Sequence, residues 1–215
     1  MSTTEEIKVS TPRTGRLFRL GEPQTAGAHW LVFHGYGQLG PYFLKHFQPM
    51  APPCCFWCPE ALNRFYLEGL SGRVGAGWMT REAREDDIQD NIQYLDRVYH
   101  DHIQPFLQNS ALNILAFSQG VATACRWVQK SAPNLDKLIL WSGMLPHDMS
   151  VGNLRQVLTN HRTTLVYGTQ DPYMQDENLK AVSEFMLKEA PEVPVVSHPG
   201  GHHFDPSLLS QLILN

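Results

Sequence analysis

The sequence predicts an α/β fold, a mostly parallel central sheet flanked by helices on both faces as a three-layer αβα sandwich. Three observations predict it. Short apolar, β-branched runs alternate along the chain with longer segments of helical period. Several of the runs are apolar on consecutive residues, as strands covered on both faces must be. Most of the segments between them are long enough for the helical crossover that joins parallel strands.

The strand-like runs are residues 30–33, 54–58, 112–117, 137–141, 163–167 and 193–196. The helical segments are residues 41–50, 85–107, 119–130, 151–158, 177–189 and 206–214. The acidic opening at 82–87 suits a helix start, where the macrodipole favours negative charge. Ile88, Ile92, Leu95 and Val98 then recur at steps of three and four and form one apolar stripe. Two stretches break the alternation. Residues 8–20 read as an edge hairpin, and residues 66–81, with Gly69, Gly72, Gly75 and Gly77, read as a loop long enough to carry function. Ligands of such open sheets bind above the carboxyl ends of the strands, so the strand-exit loops are where chemistry is sought.

A chain of 215 residues that is 42% hydrophobic and 18% charged closes one sizeable core, so residues 1–215 read as a single domain, with 66–81 flanking its site. With 17 Lys and Arg against 21 Asp and Glu, the formal charge of -4 provides no basic field for phosphate backbones. Nucleic acid is therefore not an expected partner. No apolar run approaches the roughly 20 residues of a membrane span, and the start is polar and acidic rather than a secretion signal. A cytoplasmic location is expected, and four cysteines fit it. Cys55 and Cys58 have C-x-x-C spacing, yet no helix start follows them and Cys125 stands alone, so the thiols, Cys54 included, read as small hydrophobes. No metal site is expected. His100 and His102, two apart on a predicted helix, point to opposite faces and read as solvated.

Leu115-Ala116-Phe117-Ser118-Gln119-Gly120 ends a buried-type strand and opens a helix, the setting in which a serine is held on a sharp turn. Small residues two positions to either side, Ala116 and Gly120, relieve the crowding there. Such a turn lifts the Ser118 hydroxyl clear of the sheet and aims the first helix amides at the same point. A helix-capping serine explains the same pattern. Upstream, Leu31-Val32-Phe33-His34-Gly35-Tyr36-Gly37 is another strand running into a glycine-rich exit loop. The amides of Tyr36 and Gln119 are the candidate oxyanion donors, and His34 reads as a structural residue at the strand end.

A serine hydroxyl needs a base to take its proton and an acid to orient that base. Asp171 lies just beyond a predicted strand end, with Asp176 and Glu177 as rivals on the next turn and a plain turn residue as the alternative. His202 follows Gly200-Gly201 after the last strand and is the candidate base, with His203 as the alternative. Serine, acid and histidine thus occur in that order, each just after a predicted strand. This is the layout of an α/β-hydrolase.

On Phe33-His34-Gly35-Tyr36-Gly37, Cys58-Pro59-Glu60-Ala61, Gly77-Trp78, Phe117-Ser118-Gln119-Gly120, Gly168 with Asp171, and Gly200-Gly201-His202, the chain resembles the phospholipase/carboxylesterase family of α/β-hydrolases. That group includes acyl-protein thioesterases. The resemblance implies a cofactor-free serine esterase or thioesterase with Ser118, Asp171 and His202 as its triad and the Tyr36 and Gln119 amides as its oxyanion hole. Three positions depart from the family's pattern: Ala116 and Val121 stand where the serine turn carries glycines, and Gln38 stands where the first loop carries an aspartate.

In the reaction so implied, neutral His202 takes the Ser118 proton as the oxygen attacks an ester or thioester carbonyl, and water later cleaves the acyl-enzyme. The expected partner is a small-molecule ester or thioester, and the oligomeric state is left open, a homodimer included. Phe43, Phe65, Trp78, Met79, Met144, Leu145, Tyr173 and Phe204 lie on or near exit loops and are the candidate acyl pocket, with core filling as the alternative for each. A hydrolase-fold protein that binds a ligand without turning it over is the competing reading from another class.

Overall fold

The computed structural model describes residues 3–108, 110–174 and 176–215, the Asp176 side chain excepted, so that rival acid lies outside the described groups. In chain order the described strands are β1 (Arg16–Leu20), β2 (Ala28–Phe33), β3 (Cys54–Glu60), β4 (Asn63–Tyr66), β5 (Val74–Gly77), β6 (Leu112–Phe117), β7 (Leu135–Trp141), β8 (Arg162–Gly168) and β9 (Val195–His198). The α-helices are α1 (Gly40–Phe43), α2 (Arg84–Arg97), α3 (Gln104–Leu107), α4 (Gln119–Ser131), α5 (Val151–Thr159), α6 (Asp176–Glu189) and α7 (Pro206–Leu214).

Seven strands form one sheet in the order β1-β3-β2-β6-β7-β8-β9, parallel except for the β1–β3 pair. Every residue of β3 and β6 is buried, which is why these runs are apolar without alternation. One face carries Phe33, Trp78, Leu95, Ile103 and Trp127 beneath α2 and α4. The other carries Phe43, Phe47, Phe56, Phe117, Trp141 and Phe204 beneath α1 and α7. Each large side chain so removed from water contributes on the order of 2–3 kcal/mol. The fold is that of an α/β-hydrolase.

Five elements differ from the sequence expectation. Residues 8–20 are not a hairpin: only Arg16–Leu20 is a strand, and it pairs with β3. Pro12, which has no N–H for a ladder, precedes it. The helix expected at 41–50 is the single turn α1 followed by a 3₁₀ segment, Leu44–Met50, with Pro49 inside it. The helix expected at 85–107 passes through a π-helical stretch, Val98–Ile103, before α3, where Pro105 cannot donate to the preceding turn. Residues 66–81 are not all loop: β4 and β5 pair as an antiparallel hairpin, hidden in sequence by the glycines of β5. The last strand lies two residues later than expected, starting after Pro194.

The buried carboxylate of Glu60 ties the β1 edge to the start of α1. It accepts from Arg16 at 2.9 Å and from the Gly40 N–H at 3.2 Å. All four cysteines are buried free thiols, and burial pushes Cys55 up to about 11 and Cys125 up to about 12. Among the described residues, no cluster of His, Cys, Asp or Glu is arranged to hold a metal ion, and no helix is long and apolar enough to cross a membrane.

Candidate active site

Ser118 occupies the single position between β6 and α4 at φ 53° and ψ -122°. A side-chain-bearing residue held there stores about 1–3 kcal/mol of strain and persists only where its surroundings over-determine it. They do so here. The Ser118 N–H donates to the Trp141 carbonyl at 2.9 Å, and its own carbonyl accepts from Val121 at 3.0 Å. Helix α4 also runs close under β2, so that a Cβ on Gly120 would stand 2.8 Å from the Phe33 Cβ and carbonyl oxygen. The hydroxyl does not cap α4.

Instead, Ser118 Oγ lies 2.9 Å from His202 Nε2, and His202 Nδ1 lies 2.8 Å from Asp171 Oδ2. The ionised carboxylate can only accept, so Nδ1 carries the imidazole proton and Nε2 is left to accept from the serine hydroxyl. Asp171 is completely buried, and its other oxygen accepts from the Tyr173 N–H at 2.9 Å. It therefore fills the turn role and the orienting position at once. The His202 ring packs on Phe117 and Tyr173 with centroids 4.8 and 4.7 Å away. His203 faces elsewhere: its Nε2 accepts from Gly201 and its Nδ1 meets the Phe204 carbonyl. Glu177 is exposed.

The Tyr36 loop is pinned at both ends. Gln38 Oε1 accepts from the Gly35 N–H at 2.7 Å, closing the loop where the family pattern has an aspartate. The Gly37 N–H donates to Ala76 at 2.8 Å, and Ala76 donates back to Gln38 at 3.2 Å. This approach requires glycine at 75, where a Cβ would sit 2.6 Å from the Gly37 carbonyl oxygen. Among the described residues, neither the Tyr36 nor the Gln119 amide N–H has a hydrogen-bond partner. His34 is structural: its Nε2 accepts from the Ala61 N–H at 3.0 Å, so its Nδ1 donates to the Gly35 carbonyl at 2.8 Å, and burial pushes its pKa down.

The pocket expectation needs correction. A groove of about 600 Å³ runs beside the Tyr36 loop, and of the eight proposed residues only Phe43 lines it. Trp78 is fully buried, its indole donating to the His34 carbonyl, and Phe204 sits in the aromatic core among Phe43, Phe117 and Trp141. Neither is among the residues that line the groove. Phe65 stacks on the exposed Tyr36 ring, Met79 touches Arg126, Leu145 packs on the core, and Met144 is exposed. Tyr173 is exposed beside His202. The groove's other wall comes from Leu67 and Gly72–Val74 on the β4–β5 hairpin. Recognising that hairpin in the sequence was the signal needed to find it.

A sharply turned serine, a buried aspartate and a histidine thus meet at the exits of β6, β8 and β9. A model of the phospholipase/carboxylesterase family matches residues 22–213, and the chain belongs to that family. No curated protein sequence matches it. Among solved structures it is similar to Zea mays acyl-protein thioesterase 2, at 20% identity and TM-score 0.65 over 92% of this chain and 96% of that one. It is also similar to a Mesorhizobium loti carboxylesterase, at 15% identity and TM-score 0.69 over 94% of each chain. A Bacillus cereus carboxylesterase aligns at 16% identity and TM-score 0.62 over 92% of this chain and 91% of that one.

Proposed function

We propose that this protein is a serine hydrolase of carboxylic esters that works through an acyl-enzyme. The observation that carries the reading is the pair of contacts on His202, 2.9 Å to Ser118 Oγ and 2.8 Å to Asp171 Oδ2. His202 Nε2 takes the hydroxyl proton as Oγ bonds to the ester carbonyl carbon. Asp171 stabilises the imidazolium. The negative charge that develops on the carbonyl oxygen is met by the Tyr36 and Gln119 amides, each worth on the order of 3 kcal/mol of barrier. The imidazolium then protonates the departing alkoxide, and water, deprotonated by the same imidazole, releases the acid and restores Ser118.

Thioester cleavage uses the same groups, and the likeness to an acyl-protein thioesterase from Zea mays supports it as the second reading. The test is to treat the full chain with a fluorophosphonate probe and to follow p-nitrophenyl ester hydrolysis. The expected result is a covalent adduct on Ser118, with adduct and turnover both lost in Ser118→Ala while the thermal midpoint holds. A folded protein that neither labels nor hydrolyses is a binding protein instead.

A further inference from the structure

We infer that the groove beside the Tyr36 loop binds an anionic group of the substrate through Arg73, so that the preferred esters carry a carboxylate or a phosphate on one side of the scissile bond. The inference rests on the hydrolase reading above and deepens it. The groove has the size of a small-molecule site, about 600 Å³. It lies near the serine: Gln38, which lines it, and Ser118 both approach Gly35, Gln38 Oε1 and Ser118 Cβ standing 3.2 and 3.1 Å from where a Gly35 Cβ would be. Gly37 and Gln38 line it, as does Phe43, whose ring packs on Phe117.

Charge sets the class of ligand. None of the groove-lining residues is acidic, and Arg73 is their one formal cation. Its guanidinium is exposed and, among the described residues, takes part in no ion pair or side-chain hydrogen bond. Its backbone is fixed instead, the carbonyl accepting from the Leu67 N–H at 2.8 Å across the hairpin. Tyr42 and His46 add neutral polar groups to the lining, and Lys45, itself outside the lining, holds its ammonium 5.0 Å from the Tyr42 ring centroid. Glu68, the acid nearest Arg73 along the hairpin, neither lines the groove nor pairs with it. A guanidinium free to form a two-pronged contact, in a cleft without a competing carboxylate, recognises planar or tetrahedral oxyanions.

The test compares two matched pairs of substrates on the full chain. Mono-4-nitrophenyl adipate against 4-nitrophenyl hexanoate places a carboxylate on the acyl side. A 1-hexanoylglycerol 3-phosphate against 1-hexanoylglycerol places a phosphate on the alcohol side. In at least one pair the anionic ester is expected to lead in kcat/KM by about tenfold, the effect of one charge-assisted contact. Arg73→Glu should erase that ratio, chiefly through KM, and Arg73→Lys should keep part of it. Because the readout is a ratio within one variant, a loss of folded protein does not mimic it. Equal or slower turnover of both anionic esters, or a preference that survives in Arg73→Glu, overturns the inference and leaves the hydrolase reading standing. No turnover of any ester, with Ser118 unlabelled by fluorophosphonate, removes both.

Discussion

Gln119 grips the backbone of Trp78: its Oε1 accepts from the Trp78 N–H at 2.9 Å, although 41 positions separate the two residues. The same side chain donates from Nε2 to the Met79 carbonyl at 2.8 Å. Trp78 in turn donates from its indole to the His34 carbonyl at 2.8 Å, one residue before the Tyr36 loop begins. Both candidate oxyanion amides are therefore tied to one buried tryptophan. The geometry of the site depends on that tie as much as on the groups around Ser118.

Truncating Gln119→Ala keeps its backbone N–H but leaves the Trp78 amide and the Met79 carbonyl without partners. A loss of about 2 kcal/mol in stability is expected from that desolvation. Because a displacement of about 1 Å at reacting groups costs up to about 100-fold, kcat should fall between about 10- and 100-fold. Thermal denaturation and steady-state ester kinetics check both parts. An unchanged kcat would show that the oxyanion amides do not depend on this clamp.

Asp171→Asn separates orientation from size. The Tyr173 N–H, 2.9 Å from Oδ1, forces the amide to turn its oxygen that way, which presents its NH₂ to His202 Nδ1. Nδ1 must then accept, the proton moves to Nε2, and Nε2 can no longer take the Ser118 proton. A drop in kcat on the order of 10⁴ is expected for such a tautomer error, with the fold retained. Full activity in the variant would remove Asp171 from the reaction.

Several of these features were legible in the sequence and others were not, for identifiable reasons. The strands β6, β7 and β8 end in short apolar runs, Ile114–Phe117, Leu138–Trp141 and Leu165–Tyr167, largely covered on both faces, so the strand ends that Ser118 and Asp171 follow could be read closely. The β4–β5 hairpin could not: a four-residue strand half exposed, facing one of Val-Gly-Ala-Gly, has no hydrophobic pattern to declare it. The groove wall and Arg73 were lost with it. Trp78 and Phe204 were misplaced for a different reason. An aromatic on a strand-exit loop reads the same whether it lines a cleft or plugs the core beneath one, and only tertiary packing separates the two. The clamp by Gln119 had no local signal, since its partners lie far away along the chain.

Gly120→Ala tests why a glycine follows the serine turn. The added Cβ would meet the Phe33 Cβ and carbonyl at 2.8 Å and the His34 carbonyl at 2.9 Å, all parts of a buried strand end that cannot swing aside. Overpacking of this kind destabilises by about 1–3 kcal/mol. Relief requires α4 to back away from β2, which carries the Gln119 amide away from Tyr36. A lower denaturation midpoint together with a lower kcat is expected, and a midpoint equal to that of the parent protein would mean the helix has room the packing denies it.

Asp148 gives the protein an acid-sensitive contact away from the serine. It accepts from Arg126 at 2.7 and 2.9 Å and pairs with Arg84 at 3.0 Å, joining α4, the start of α2 and the loop after β7. The Arg126 hydrogen bonds, ahead of the guanidinium charge and the Arg84 contact, hold its carboxyl well below the usual carboxylate range. A folded pKa below the unfolded one means the stabilisation is fully present above about pH 5 and is lost as pH falls through the lower value. Asp148→Asn leaves Arg126, whose side chain is 7% exposed, without its counter-charge. With part of the contact open to water, a loss of about 2 kcal/mol at pH 7 is expected. By pH 3 the unfolded wild-type chain has bound the proton that the folded one still excludes, so the gap between wild type and variant should narrow by about 1 kcal/mol. Urea denaturation of both proteins at the two pH values reads this directly, and a gap that stays constant would mean that the stability contributed by Asp148 does not come from its charge.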